Sequence, residues 1–512
     1  MKAIVTATVF VLFWFTCVSD GKRNVLVLLG DDVGFQFGCY GNQKIRSPHV
    51  DALAKRSLLF KNGFTSVSSC SPSRSVVLTG LPVHQNGQYG LAHDVHHFQS
   101  FDEVQSLPLI LASHGIRTGL IGKKHVKPDT VYKFEVEVTE EEYSINQVGR
   151  NITFMKEHVR DFLEASRNDT RPFMLYIGIH DIHRCDTGGK LGDFCEKFGD
   201  GTSPGTGVIP DWKPEVYTPE DVEVPYFLPD TPATRQDLAN MYKTYSRFDQ
   251  GVGLFLRELE NAGFADDTLV LFTSDNGIPF PLAKTNLYDP GQGEPFMISS
   301  PYQRDTWGKV KTTELMASTM DILPTILDWF QIQYPKYSLN GQAVQLTGKS
   351  LLKALAPNPG PAFDLVFSSH VFHEVTMYYP MRVIRTMGMK LIHNLNYRAP
   401  YPMATDLYLN PTFLDILNRT ESGETLPWIT TLDKYYFRDE WQLFNLTSDP
   451  YEQMNMADAP EYHDVITSMQ TTLNAWLVET DDTWRCLPAG ELEGNTCYPL
   501  YNGGKKGMGR NK

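Results

Sequence analysis

Along the first three quarters of the chain, short unbroken apolar runs alternate with stretches whose apolar residues recur every three or four positions. NVLVLL (24–29) has the length and content of a buried strand, whereas PHVDALAKRSLLF (48–60) spaces Val50, Leu53, Ala54 and Leu58 along one side of a helix. SLPLILASHG predicts a helix that stops at Gly115, ahead of a short strand, RTGLIG. ITFMKEHVRDFLEAS predicts a helix before the strand PFMLYIGI. Met241, Tyr245, Phe248, Val252, Phe255 and Leu259 mark a longer helix ending near Gly263, before TLVLFT. This alternation predicts an α/β sandwich around a largely parallel sheet. The glycine- and proline-rich segment 199–233 reads as a long surface loop.

Past about residue 375 the pattern changes. PMRVIRTMGMKLIHNLN predicts two strands around a turn at Gly388, and Val465, Met469, Leu473 and Leu477 predict a closing helix over about 459–480. The expected division is a signal peptide at 1–20, a large domain at 21–377 and a smaller one at 378–512. The leader expectation rests on one early lysine, an apolar run and then small or polar residues. No later stretch is apolar enough to span a bilayer. Sequons at Asn151, Asn168, Asn418 and Asn445 agree with passage through the secretory pathway. A formal charge of −14 argues against a nucleic-acid binder, which needs a basic face, and is compatible with an acidic compartment such as the lysosome.

Of seven cysteines, Cys17 would leave with the leader. Cys185 with Cys195, and Cys486 with Cys497, could each close a short disulfide loop. Counting leaves Cys39 and Cys70 as a third pair or as two free thiols.

Candidate chemistry collects just after the predicted strands. Asp31 and Asp32, then Lys123, Lys124 and His125, then His180, Asp181 and His183, then Asp275 and Asn276 all fall where strands of an open α/β sheet line a ligand crevice. Asp31, Asp32, Asp275 and Asn276 offer only hard oxygen ligands, which suit Ca²⁺ or Mg²⁺. A zinc site at His180 and His183 is a rival lacking a clear third ligand. Taken singly, DD and DNG read as turns, and each lysine as a solvated loop charge. Cys70 lies among serines where Pro72 would open a helix that stops at Gly80, with Arg74 one turn in. A helix N-terminus could depress the pKa of a thiol nucleophile. A thiolate beside a hard cation in an oxidising lumen is, however, a poor design.

CSPSR followed by LTG, with the paired aspartates, GKKH and SDNG in this order, is identified as the signature of the type I sulfatases. Further segments, among them GLPVHQNGQYGL, DVHHF, HDIHRC, FTSDNGIPFP and HEVTMYYPMRV, resemble the sulfamidase branch of that family along nearly the whole mature chain. The resemblance implies an alkaline-phosphatase/sulfatase-like large domain, with a mostly parallel mixed sheet flanked by helices, and a smaller α+β domain with an antiparallel sheet. It implies that a formylglycine-generating enzyme converts Cys70 to 3-oxoalanine (formylglycine). One hydroxyl of the hydrated aldehyde would attack sulfur, and loss of a proton from the other would expel sulfate. One Ca²⁺ per chain would be held by Asp31, Asp32, residue 70, Asp275 and Asn276. Arg74, Lys123 and Lys284 would neutralise sulfuryl oxygens, His125 would take the hydroxyl proton, and His183 would protonate the leaving nitrogen. Lys284 stands where the sulfamidases carry arginine and sulfatases more broadly carry lysine. The implied substrate is a terminal N-sulfoglucosamine of heparan sulfate, cleaved in the lysosome by a homodimer. An O-sulfate ester sulfatase, or an inactive glycan-binding relative, is the alternative. A modified residue 70 would leave Cys39 a lone, buried thiol. His373, Glu374 and Arg382 are candidates either for sugar contacts or for a hydrogen-bonded domain interface.

Overall fold

β1 (Asn24–Gly30) is buried along its whole length because both of its faces are covered. Leu26 and Leu28 enter one apolar core, whereas Val25, Val27 and Leu29 enter a second. The first core is closed by the helices Pro48–Ala54, Ile152–Arg167 and Pro232–Asn261, the second by Cys70–Thr79, Leu107–Ser113 and Ile322–Phe330. The computed structural model describes residues 23–185, 191–202, 204–356, 359 and 363–500; the leader expected at 1–20 lies outside these.

The remaining strands of the large sheet are β2 (Leu58–Phe64), β3 (Arg117–Gly122), β4 (Val136–Thr139), β5 (Phe173–Ile179), β6 (Thr268–Ser274), β7 (Phe296–Ser299) and β8 (Lys311–Ser318). Their order is β4-β3-β5-β1-β6-β7-β2-β8, with β7 antiparallel to both neighbours and every other pairing parallel. The mixed, mostly parallel sheet flanked by helices is as expected. One element differs. The helix expected over 48–60 stops at Ala54, and its last residues start β2. Leu58 fits the helical spacing, but Leu58, Leu59 and Phe60 pair with β7 and β8, and that long-range pairing overrides the local period.

A second, antiparallel sheet contains β9 (Leu365–His370), β10 (Met381–Thr386), β11 (Met389–Asn394) and β12 (Trp441–Asn445) in that order. Residue 377, where a division was expected, falls between its first two strands. The C-terminal helix, His463–Glu479, seats Met469, Leu473, Trp476 and Leu477 against Ile384, Leu391 and Leu443. Arg382 is buried in this unit and donates Nη2–H to Asp482 at 3.1 Å and Nη1–H to the His370 carbonyl at 3.0 Å. Its partners are packing contacts, and it is not among the residues that line the cavity over Cys70.

Cys185–Cys195 and Cys486–Cys497 are disulfides, with Cα separations of 5.3 and 5.4 Å. Cys39 and Cys70 are both unpaired, which excludes the third disulfide; Cys39 is half-buried rather than fully enclosed. Among the described residues, no helix is long and apolar enough to cross a membrane.

Candidate active site

The chain turns sharply as it leaves each central strand, and these turns aim polar side chains into one crevice. Asp32 and His125 both take positive φ, 61° and 54°, directly after β1 and β3. Gly122 (φ 103°) closes β3 against β5: a Cβ there would lie 2.0 Å from the Gly178 carbonyl oxygen. Glycine therefore lets Lys123 and His125 approach the groups that follow β5. Opposite them, the buried helix Cys70–Thr79 places Cys70 in its first turn and ends at Gly80 in the left-handed region.

Asp31, Asp32 and Asp275 are fully buried, and one carboxylate oxygen of each lies within 4.8 Å of the others. Asn276 donates Nδ2–H to Asp32 Oδ1 at 2.6 Å. Asp31 Oδ1 and Asn276 Oδ1 are buried without a hydrogen-bond partner. Three cations bracket the group. Lys123 Nζ pairs with Asp31, Arg74 Nε donates to Asp275 Oδ2 at 2.9 Å, and Lys284 Nζ lies 2.9 Å from Asp32 Oδ2. Burial and the nearby Asp31 push Asp275 up to about 8; burial also raises Asp31, but Lys123, His183 and Arg74 hold it well below the ordinary carboxylate range. Burial holds the Cys70 thiol well above its usual value, with Lys123 and Lys284 only partly offsetting this. A free Cys70 is thus a protonated thiol, which argues against simple thiolate chemistry.

A cavity of about 450 Å³ opens over Cys70, Lys123, His125, His180 and His183, a volume suited to a monosaccharide. His183 Nδ1 lies 2.8 Å from the Arg184 carbonyl, while its Nε2 is 3.9 Å from both Asp32 and Asp406. His373 and Glu374 also line the cavity. His373 Nδ1 is 2.8 Å from Ser69 Oγ, and the Glu374 carboxylate accepts the Thr405 N–H at 2.7 Å.

Two sequence candidates point elsewhere. Lys124 pairs with Asp129 and Glu137, and Asp181 is locked between Arg150 and Arg247. His180 Nδ1 lies 2.7 Å from Glu140, and among the described residues no cluster of three potential metal ligands includes both His180 and His183. That arrangement disfavours the zinc rival.

The sequence reading missed Asp406, Glu140 and His93, all of which line the cavity. Asp406 Oδ2 lies 3.2 Å from Lys284 Nζ. It comes from the four-residue helix Thr405–Tyr408, where one acidic residue carries no recognisable signal. His93 stands one residue before the quoted DVHHF, so its partner could be identified only after folding.

Residues 23–332 match the family described as Sulfatase. The chain is 54% identical to the N-sulphoglucosamine sulphohydrolase of Homo sapiens, over 94% of this chain and 95% of that protein. It is 22% identical to an N-acetylglucosamine-6-O-sulfatase of Bacteroides thetaiotaomicron, covering 92% and 88%. A solved structure titled as bound to its substrate, D-glucosamine-2-N,6-O-disulfate, superimposes with a TM-score of 0.61 at 18% identity, covering 90% of this chain and 99% of that one. A 2-O glycosaminoglycan sulfatase superimposes with a TM-score of 0.62 at 18% identity, covering 91% and 94%. At that identity both likenesses concern the fold.

Proposed function

The chain belongs to the sulfatase family and is a sulfohydrolase, and from that premise we propose that it removes the N-linked sulfate of a terminal N-sulfoglucosamine during lysosomal heparan sulfate degradation. The observation that carries this reading is the set of three buried carboxylates and three cations around Cys70, at the floor of a monosaccharide-sized cavity. The 54% identity to an N-sulphoglucosamine sulphohydrolase favours nitrogen over oxygen as the atom bearing the sulfate.

The donor set fits Ca²⁺. Asp31, Asp32, Asp275 and Asn276 provide hard oxygens, two of them without a hydrogen-bond partner, and residue 70 would complete the set. When bound, the ion would supply positive charge that favours an ionised oxygen at residue 70. A hydrated formylglycine at residue 70, made by a formylglycine-generating enzyme, would supply the hydroxyl that attacks sulfur and a second whose deprotonation releases sulfate.

The chain's own side chains divide the remaining work. Arg74, Lys123 and Lys284 neutralise the sulfuryl oxygens in a dry site, where such charges act most strongly. His183 donates Nδ1–H to the Arg184 carbonyl, so its Nε2 protonates the leaving nitrogen from the imidazolium form, a charge that Asp32 and Asp406, each 3.9 Å from Nε2, support. His125 takes the proton from the second hydroxyl. Delivery to the lysosome rests on the leader and sequons; of the four, Asn168 and Asn418 are the exposed ones. Lys284 favours a second reading, an O-sulfatase of the same fold, because arginine is expected there in a sulfamidase.

Turnover of a sulfamate glycoside against its O-sulfated analogue tests the substrate. Preference for the O-ester would overturn the sulfamidase reading. The mass of the tryptic peptide Asn62–Arg74 tests the modification, and an aldehyde in place of the thiol is expected. An unmodified peptide from active enzyme would contradict the mechanism.

A further inference from the structure

His93 Nδ1 and His125 Nε2 lie 2.5 Å apart, with ring centroids separated by 4.6 Å. One imidazole nitrogen must carry hydrogen and the other a lone pair for this contact to bind. His125 Nδ1 is buried and has no hydrogen-bond partner. The loop bearing His93 is held in place: Ala92 donates its N–H to Ser71 Oγ at 3.0 Å, and Leu91 donates to the His373 carbonyl at 2.9 Å. The His125 backbone is fixed by its positive φ and by donation of its N–H to Glu141 Oε1 at 3.2 Å.

From this geometry we infer that His93 is a positioning residue for His125: its Nδ1 accepts the His125 Nε2–H, which keeps the His125 lone pair on Nδ1. The opposite polarity would put a hydrogen on His125 Nδ1 and present a donor where a base is needed. The inference rests on the proposed role of His125 as the base for the second hydroxyl of residue 70. In that step the proton moves from this hydroxyl to His125 Nδ1, the oxygen's electron pair forms the carbonyl, and the bond to sulfate breaks. His125 then holds hydrogens on both nitrogens, and the Nε2–H bond to His93 is retained. Asp94, His96, Lys123 and His183 surround His93, while Lys123, Arg74 and Asp31 face His125. Desolvation of the rings, with Lys123 near both, opposes a resting positive charge on the pair, so the neutral tautomer is the form to be fixed.

His93→Ala and His93→Gln in the full-length enzyme test this. His93→Ala should lower kcat by about tenfold to a hundredfold with little change in KM, part of what a positioned base contributes. It should also accumulate enzyme carrying one sulfate, visible by intact mass, and alter the pH profile of kcat. His93→Gln, whose amide oxygen can accept the same hydrogen, should recover most of the rate. ¹⁵N NMR of histidine-labelled protein should show His125 protonated on Nε2 in the wild type and a tautomer mixture in His93→Ala. Unchanged kcat in His93→Ala, a change confined to KM, or the same His125 tautomer in both proteins would overturn the inference. A wild type that turns over without ever carrying sulfate would instead overturn the formylglycine reading, and the NMR result would still decide the role of His93.

Discussion

Lys284 and Asp406, 122 positions apart in sequence, form an ion pair of 3.2 Å at the wall of the cavity. The same ammonium lies 2.9 Å from Asp32, so one lysine links the carboxylate cluster to the wall above it. Asp406 Oδ1 is buried without a partner, leaving an acceptor for a sugar hydroxyl or the released amine.

Asp406→Asn should therefore lower kcat/KM on N-sulfoglucosamine about tenfold or more, since a buried polar contact is lost while Lys284 keeps Asp32 as a partner. Steady-state kinetics alongside the melting temperature separate this loss from destabilisation. Full activity in a stable variant would remove Asp406 from the site.

Lys284→Arg should raise the ratio of S–N to S–O turnover by a few-fold, about 1 kcal/mol of transition-state preference, because a guanidinium binds two sulfuryl oxygens at once. The measurement is the ratio of kcat/KM on the two substrates. An unchanged ratio would mean that position 284 does not set the choice.

Arg382→Met should destabilise the protein by about 3–5 kcal/mol, the usual result of removing one partner of a buried pair and leaving the other, here Asp482, unmatched. Denaturant unfolding measures it. Because Arg382 does not line the cavity, the folded fraction should retain kcat.

The sequence exposed the site wherever a strand ended in charge. Asp31, Lys123, His183 and Asp275 each follow an apolar run buried on both faces, and burial on both faces is what makes such runs visible. Asp406 and His93 were not legible, because their meaning lies in Lys284 and His125, which reach them only through the tertiary fold. Arg382 was ambiguous for the same reason, as Asp482 lies 100 positions away. The 48–60 segment failed differently: a correct helical start ran into residues whose structure is decided by β7 and β8.

Asp249 should make stability depend on pH. Its carboxylate accepts the N–H groups of His49 and Val50 at the start of the Pro48–Ala54 helix, and burial pushes it up to about 7. A carboxyl raised on folding stabilises fully below its unfolded pKa, and this contribution is lost as pH rises through the folded value. Asp249→Asn keeps an acceptor but cannot ionise. Its stability relative to wild type should rise by roughly 2–4 kcal/mol between pH 4 and about 7, then level off. Urea unfolding across that range checks it, and a constant difference would show that Asp249 is already ionised in the fold.

Calcium should act on both stability and sulfate binding. Lys123 pairs with Asp31, Lys284 with Asp32, and Arg74 with Asp275 and at 3.7 Å with Asp31, so a divalent ion on those carboxylates weakens these pairs and leaves the cations freer to meet sulfate. Chelation should lower the melting temperature and turnover together, and it should weaken inhibition by free sulfate. Added Ca²⁺ should restore stability by about 2.7 kcal/mol at a hundredfold excess over its dissociation constant. Asp275→Asn should shift that calcium dependence to higher concentration. If sulfate inhibits the chelated protein as strongly as the calcium-loaded one, the cations are not released by the ion, and their pairing with the carboxylates is structural only.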